Sequence, residues 1–478
     1  MMNIVEVIRR ETKGMIKKRA LTEGALSCTY SELFEEVDDL SHLFRQENIR
    51  QGMRVGVLCP EGIDYVALNL SLLAIGAVVI PIPSNSTCDE REQFLSELKA
   101  DALVFEEKLC RENEGTTSFL TTENNSFRIK KFKPFFAEQK AFELLNAAFI
   151  RFTSGTTGKS KGVVLSHEAI LERTDAANVT LKISADDTIL WVLSMNYHFV
   201  VSILLFLRQG ATIILCEHTI PQGLIRGLKE HEITFIYGAP IHYDAMVNTP
   251  EITAKDTSKI RFALSTTTSL NAKTALRFQE KFDLELKSAY GIIEVGLPFI
   301  NDSNDAMKRQ SVGQLLPAYQ YRLTDKDSEG IGNIQLKGPG MFSAYFSPWQ
   351  KADEIFREGW FQTGDFGKLD EEGFLYLLGR TGQVIHSMGM KIYAEEVKNV
   401  VESFSMISEA FVYGEKHEAL GEIPKARIVV KGVDVRDFSV DDLRRFCYGK
   451  LASYKVPKEF EIVESLKKTL SHKVMTEQ

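Results

Sequence analysis

The sequence predicts an α/β protein, with a large N-terminal domain of layered α/β sheets and a small C-terminal α+β domain, whose mobility is implied only by a resemblance given below. Three observations predict it. Short apolar runs alternate with helical stretches, the rhythm of layered sheets. A loop rich in glycine and hydroxyl side chains follows one of those apolar runs, near Phe152. The pattern then changes near Gly379-Arg380-Thr381-Gly382, and the last stretch has the size of a small domain.

The elements follow in order. Val55-Gly56-Val57-Leu58 reads as a strand, Tyr65 to Ala74 as a helix, and Ala77 to Pro81 as the next strand. Pro81, Pro83 and Asn85 to Thr87 mark a turn within the domain. Ala147 to Phe152 reads as a buried strand, and Gly162 to His167 has strand character. Thr212 to Leu215 and Phe235 to Tyr237 are further short apolar runs. The boundary falls at Gly379 to Gln383, dividing the chain into residues 1–379 and 380–478. Beyond it lie a helix at Glu395 to Phe404, strands at Ala410 to Tyr413 and Ala426 to Val430, and a helix at Val440 to Leu451.

Composition excludes several classes. Hydrophobic residues make up 44% and charged residues 26% of 478, an ordinary globular balance. A net charge of −8 without a basic patch argues against a nucleic-acid binder. Six cysteines with no Cys-x-x-Cys pair point to reduced thiols rather than disulfides or zinc. The first residues lack a signal-peptide core, and the longest apolar stretch, Phe199 to Leu207, is too short to span a bilayer. The expected location is the cytoplasm, with no transmembrane segment.

Phe152 to Gly162 reads Phe-Thr-Ser-Gly-Thr-Thr-Gly-Lys-Ser-Lys-Gly. Glycines let backbone N–H groups approach anionic oxygens, hydroxyls donate further hydrogen bonds, and lysines supply point charges. Such a loop wraps a polyphosphate. It is not a Walker A loop. That motif needs a glycine where Thr153 stands and a helix directly after, where Gly162 to His167 read as a strand.

Two more segments carry chemistry. In Ser288-Ala289-Tyr290-Gly291-Ile292-Ile293-Glu294, Tyr290 can stack on a flat base, Gly291 admits a ligand to the backbone, and Glu294 can hold Mg²⁺. Read alone, the segment fits a strand-to-turn tyrosine with a solvated glutamate better, and it is the pairing with the loop at 153–162 that favours a ligand site. In Thr363-Gly364-Asp365 the carboxylate can accept both hydroxyls of a ribose, or sit in an ordinary β-turn.

Taken together, Thr153 to Gly162, Tyr290 to Glu294, Thr363 to Asp365 and Gly379-Arg380 resemble the motifs of the AMP-forming acyl- and aryl-CoA ligases, peptide-synthetase adenylation domains and luciferases. The resemblance runs from about Thr29 to Val474, and the order and spacing of the motifs carry it. It implies catalytic roles for Lys473, Glu294, Thr156 and His198, with Glu294 on the metal. It implies that Thr153, Ser154, Gly155, Thr156, Thr157, Gly158, Lys161, Tyr290, Gly291, Asp365 and Arg380 bind the nucleotide. It implies an acyl pocket of Tyr197, His198, Tyr237, Gly238, Thr266, Thr267 and Ile292.

The chain also departs from the family pattern. Ile293 stands where a threonine is usual, Gly382 where the pivot is an Asp or Lys, His386 where a Lys is common, and His472 where a Gly precedes the last lysine. Thr266-Thr267-Thr268 replaces a Gly-Gly-Ala-like turn. No Asp stands at His198, so an α-ammonium has no counter-charge there, and α-amino acids are disfavoured as substrates.

The resemblance implies two-step activation of a carboxylic acid. ATP and Mg²⁺ give acyl-AMP and pyrophosphate, then rotation about residues 380–383 brings the segment 387–393 to the site and a thiol takes the acyl group. Coenzyme A is the first choice of thiol, and a carrier-protein phosphopantetheine the alternative. A non-catalytic relative that binds nucleotide or acyl ligand is the reading from another class.

Overall fold

A computed structural model describes residues 2–109, 117–121, 125–133, 136–153, 161–216, 219–346, 348–387, 390–417, 420–432 and 434–466. Among these residues the strands form four sheets.

The first sheet is nine-stranded. Its centre is a parallel run of Thr212–Leu215, Thr188–Trp191, Phe235–Gly238, Phe262–Ser265 and Leu286–Ile292. Short apolar strands of this kind are buried on both faces, so they read as unbroken apolar runs. Register places Trp191 opposite Tyr237, Gly238 opposite Ser265, and Ser265 opposite Ser288. The carboxyl ends of four parallel strands therefore share one edge, where open α/β sheets bind ligands.

The second sheet is also nine-stranded. It pairs Arg54–Leu58, Val78–Pro81, Ala147–Thr153 and Lys161–Ser166 in that order, and continues to Ala344–Phe346. The strands on either side of the glycine-rich loop are thus antiparallel neighbours, with Thr153 opposite Lys161.

The helix Ile63–Ala74 is apolar nearly all round and fully buried over Val66 to Leu70. It packs on strands of both nine-stranded sheets, which explains the absence of a polar face. Its polar members turn inward on the backbone. Asn69 Nδ2 donates to the Tyr65 carbonyl and Ser71 Oγ to the Ala67 carbonyl, each at 2.6 Å.

A four-stranded sheet joins Gln320–Thr324, Gly332–Lys337, Phe361–Leu369 and Leu375–Arg380. A five-stranded sheet then takes Val384–Ser387, Met390–Tyr393, Ile407–His417, Gly421–Val430 and Glu459–Ile462, with helices Ala394–Ser403 and Val440–Tyr448 over a core of its own. A single 3₁₀ turn, Thr381–Gln383, separates the last two sheets. Across this joint Lys455 Nζ donates to Glu329 at 3.1 Å while also holding Glu396 on its own side at 3.0–3.1 Å, and the Tyr393 hydroxyl donates to Asp327 at 3.0 Å.

Among the described residues no helix is long and apolar enough to cross a membrane. Among the described residues Cys28, Cys59, Cys88 and Cys447 are free thiols.

Candidate active site

The site is assembled where the shared edge of the first sheet faces the loop-bearing strands of the second. Lys161 opens the strand that leaves the glycine-rich loop, and its Nζ lies 4.8 Å from the centroid of the Tyr345 ring. Tyr345 stands on the adjacent strand, opposite Val163, and its hydroxyl donates to Glu294 Oε1 at 3.1 Å. One tyrosine thus ties the cation at the end of the loop to the carboxylate of the Tyr-Gly-x-x-Glu segment. Burial, and Glu294 beside it, push the Tyr345 hydroxyl far up, so it stays a donor.

Glu294 is fixed from behind as well. The Phe342 N–H donates to its backbone carbonyl at 2.8 Å. Arg173, buried on the helix His167–Leu181, donates to the Ile293 carbonyl at 3.0 Å and to the Gly340 carbonyl at 2.9 Å. The arginines Arg151, Arg173 and Arg380 all feel the Glu294 charge. Among the described residues no cluster of three or more metal-binding side chains occurs. One carboxylate is nevertheless what Mg²⁺ needs when phosphate oxygens and water complete its octahedron. The residues present fit that ion.

Tyr290 and Asp365 meet directly. The Tyr290 hydroxyl donates to Asp365 Oδ2 at 2.5 Å, and Arg380 Nε donates to Oδ1 at 2.7 Å. Asp365 is 5% exposed. Gly364 precedes it at φ +77°, a left-handed turn that a side chain resists, which lets the strand present the carboxylate inward. Gly291 is required for a different reason. A Cβ there would lie 2.6 Å from the Gly296 carbonyl oxygen across the hairpin.

The second half of the site is aromatic. Trp191 stacks on Tyr237 with ring centroids 5.9 Å apart, and His198 sits edge-on to both at 6.4 Å. Tyr237 is hydrogen-bonded to Thr266, and burial pushes its hydroxyl up to about 12. Glu61 fixes the segment bearing Tyr197 and His198, accepting from the Met195 N–H and from Asn196 Nδ2, each at 2.6 Å. Gly238 is buried next to Tyr243, while Ile292 is half-buried at the end of its strand. Thr267 adopts φ +79°, rare for a β-branched residue, and its Oγ1 is buried without a partner, as is Ser265 Oγ. A threonine thus stands in a backbone conformation that favours glycine.

The structure brings together Lys161, Glu294, Tyr290, Asp365 and Arg380 on one side and Tyr197, His198, Tyr237, Gly238, Thr266 and Thr267 on the other. Thr153 ends its strand. Ser154, Gly155, Thr156, Thr157, Gly158 and Lys473 lie outside the described residues. Sequence reasoning missed Tyr345, Arg173, Trp191 and Glu61. Only Trp191 carried a signal, as the last residue of an apolar run like the one that ends at Tyr237.

The family model described as AMP-binding enzyme matches residues 8–346, and the AMP-binding enzyme C-terminal domain matches residues 396–473. The chain belongs to the AMP-binding enzyme family. It is 28% identical to a 2-succinylbenzoate–CoA ligase of Bacillus mycoides, over 94% of this chain and 92% of that one. It is 26% identical to a feruloyl-CoA synthase of Amycolatopsis, over 95% and 94%. Among solved structures, ATP-bound MatB from Rhodopseudomonas palustris superposes with a TM-score of 0.83 at 22% identity, covering 99% of this chain and 97% of that one. That likeness is one of fold.

Proposed function

We propose that this protein is an AMP-forming acid–thiol ligase that joins a carboxylic acid to coenzyme A at the expense of ATP. The observation that carries the reading is the Lys161–Tyr345–Glu294 chain, which sets a phosphate-binding cation and a metal-binding carboxylate side by side. The CoA-ligase relatives support coenzyme A as the acceptor.

In the first step a carboxylate oxygen attacks the α-phosphorus of ATP, the bond to the β-phosphate oxygen breaks, and acyl-AMP and pyrophosphate result. Catalysis here is positioning and charge neutralisation. The loop 153–162 with Lys161 takes the departing pyrophosphate. Asp365, braced by Tyr290 and Arg380, takes the ribose. Glu294 would hold Mg²⁺, which neutralises phosphate charge when bound. Lys473 is assigned to the carboxylate–phosphate junction by its place in the family's last motif, with Thr156 on the phosphates. His198, Tyr237 and Thr266 form the wall of the acyl pocket. In the second step the thiol sulfur attacks the acyl carbon and AMP leaves.

Residues 1–379 and 380–478 act as two domains, and the turn Thr381–Gln383 is the joint about which the smaller one moves between the steps. The cytoplasm, with its reducing thiol pool, suits the free cysteines.

The test is a panel of aryl, medium-chain and α-amino acids scored for pyrophosphate and AMP, with and without coenzyme A. Acid-dependent pyrophosphate release, thioester only with coenzyme A, and weak activity on α-amino acids are expected. Acyl-AMP without thioester would shift the acceptor to a carrier protein. ATP binding without pyrophosphate release for any acid would leave a non-catalytic relative.

A further inference from the structure

Arg151 lies at the junction of the two half-sites, between Tyr197 and the charge of Glu294. It is the one charged residue in the apolar run Ala147 to Phe152. Alternation along the strand puts it on the face of Phe149, which stacks on Phe199 in the core between the large sheets.

Its partners are few. Nη1 donates to the Tyr197 carbonyl, and the guanidinium lies 5.7 Å from the centroid of the Tyr197 ring. Nε is buried with no hydrogen-bond partner, and among the described residues no carboxylate pairs with the group. Arg151 as a whole is half-buried, and the fully buried arginines differ. Arg54 is forked onto Asp101, with Nε and Nη2 at 3.1 and 3.2 Å. Arg173 holds two backbone carbonyls. Burial pulls the Arg151 guanidinium down from its ordinary range, and the Glu294 charge opposes that pull. A buried donor left unpaired costs its desolvation, and a ligand that supplies the acceptor removes that cost.

We propose that Arg151 is a substrate-binding residue whose guanidinium takes a carboxylate of the acyl substrate. The assignment rests on the acid–thiol ligase reading. Contact with the Tyr197 ring and carbonyl anchors the cation on the acyl side of the site rather than on the nucleotide. The planar fork of Arg matches a carboxylate with two N–H groups, which a lysine cannot do. The carboxylate is either the one being activated or a second acidic group on the same acid, and the two are separable by experiment.

The test compares wild type with Arg151→Met and Arg151→Lys, using mono- and dicarboxylic acids. For Arg151→Met the KM for acid should rise about ten- to a hundredfold, the range for a charge-assisted hydrogen bond, with the KM for ATP unchanged. A rise for every acid assigns Arg151 to the reacting carboxylate, and a rise confined to diacids assigns it to the second group. An unchanged KM for acid, or a rise in the KM for ATP instead, overturns the proposal. If Arg151→Met does not fold, Arg151→Lys decides, because a native KM for acid there overturns it and a raised one supports it. If wild type itself releases no pyrophosphate with any acid, the ligase reading fails. The acid-dependent rise in melting temperature of wild type, expected to be lost in Arg151→Lys, then tests Arg151 separately. Retention of that rise overturns the proposal.

Discussion

Arg380 Nε donates to Asp365 Oδ1 at 2.7 Å, and the two residues are direct cross-strand partners in the sheet that ends at the joint. The pair couples the carboxylate assigned to ribose to the last residue before the turn Thr381–Gln383. On the proposed ligase reading, the ribose contact and the position of the smaller domain would share this one ion pair. The partial exposure of Arg380 keeps its own contribution to stability small.

Asp365→Ala should raise the KM for ATP at least about tenfold, since a charge-assisted bidentate contact is lost. It also strips Tyr290 of its acceptor, so the folded state should lose about 1–3 kcal/mol, read by denaturant unfolding. An unchanged KM for ATP in folded protein would make Asp365 a turn residue only.

Tyr345→Phe removes the hydroxyl that orients Glu294 and keeps the ring beside Lys161. Pyrophosphate release should fall about tenfold, and more Mg²⁺ should be needed for half-maximal rate, since outer-shell partners of a metal ligand carry about 10–100-fold in affinity or activity. Native Mg²⁺ dependence would detach Tyr345 from the metal carboxylate.

Much of this was legible in the sequence, and the limits have physical causes. Thr212–Leu215 and the helix Ile63–Ala74 are local, mostly apolar patterns set by residues next to one another, and the sequence placed the helix start two residues late, at Tyr65. The glycine-rich loop announces itself because its chemistry is also local, whereas Thr363-Gly364-Asp365 fits an ordinary β-turn on its own and takes a role only through the resemblance. Tyr345 is different. It reaches Glu294 only because its strand pairs with Lys161–Ser166, a partner far away in the chain. Arg151 was absorbed into a buried strand, where a charge in an apolar run was the one available hint. Tyr290 was read for its ring, and the structure adds the hydrogen bond of its hydroxyl to Asp365. The three threonines signalled a departure in composition, but the positive φ at Thr267 is a property of the folded turn.

Gly382→Pro should separate the two half-reactions. Proline fixes φ near −65° and restricts Thr381 before it. Gly382 is exposed within the short turn between the last two sheets, so the fold should survive. Acyl-AMP should form near the native rate in single turnovers while thioester formation collapses. Thioester at the native rate would move the pivot elsewhere.

Stability should fall as pH drops from about 6.5 to about 4, partly through His167. Its ring is 1% exposed, Nδ1 accepts from the Ile4 N–H at 3.2 Å, and burial pulls its pKa down to about 4. The unfolded chain takes up a proton near pH 6.5 that the folded chain refuses until about pH 4, so the stabilisation is present above that window and lost within it. The effect is at most about 3 kcal/mol. His167→Asn, which keeps an acceptor for Ile4, should flatten the unfolding free energy across this window. An equally steep variant would assign the slope to other groups.

The central claim is that this site makes an acyl-adenylate reversibly, without needing the thiol. Exchange of labelled pyrophosphate into ATP, measured with an acid that the enzyme turns over and with no coenzyme A, tests it most directly. The account predicts exchange that depends on the acid and is lost in Glu294→Gln. Absence of exchange with such an acid, or exchange that persists without acid or in Glu294→Gln, would contradict it.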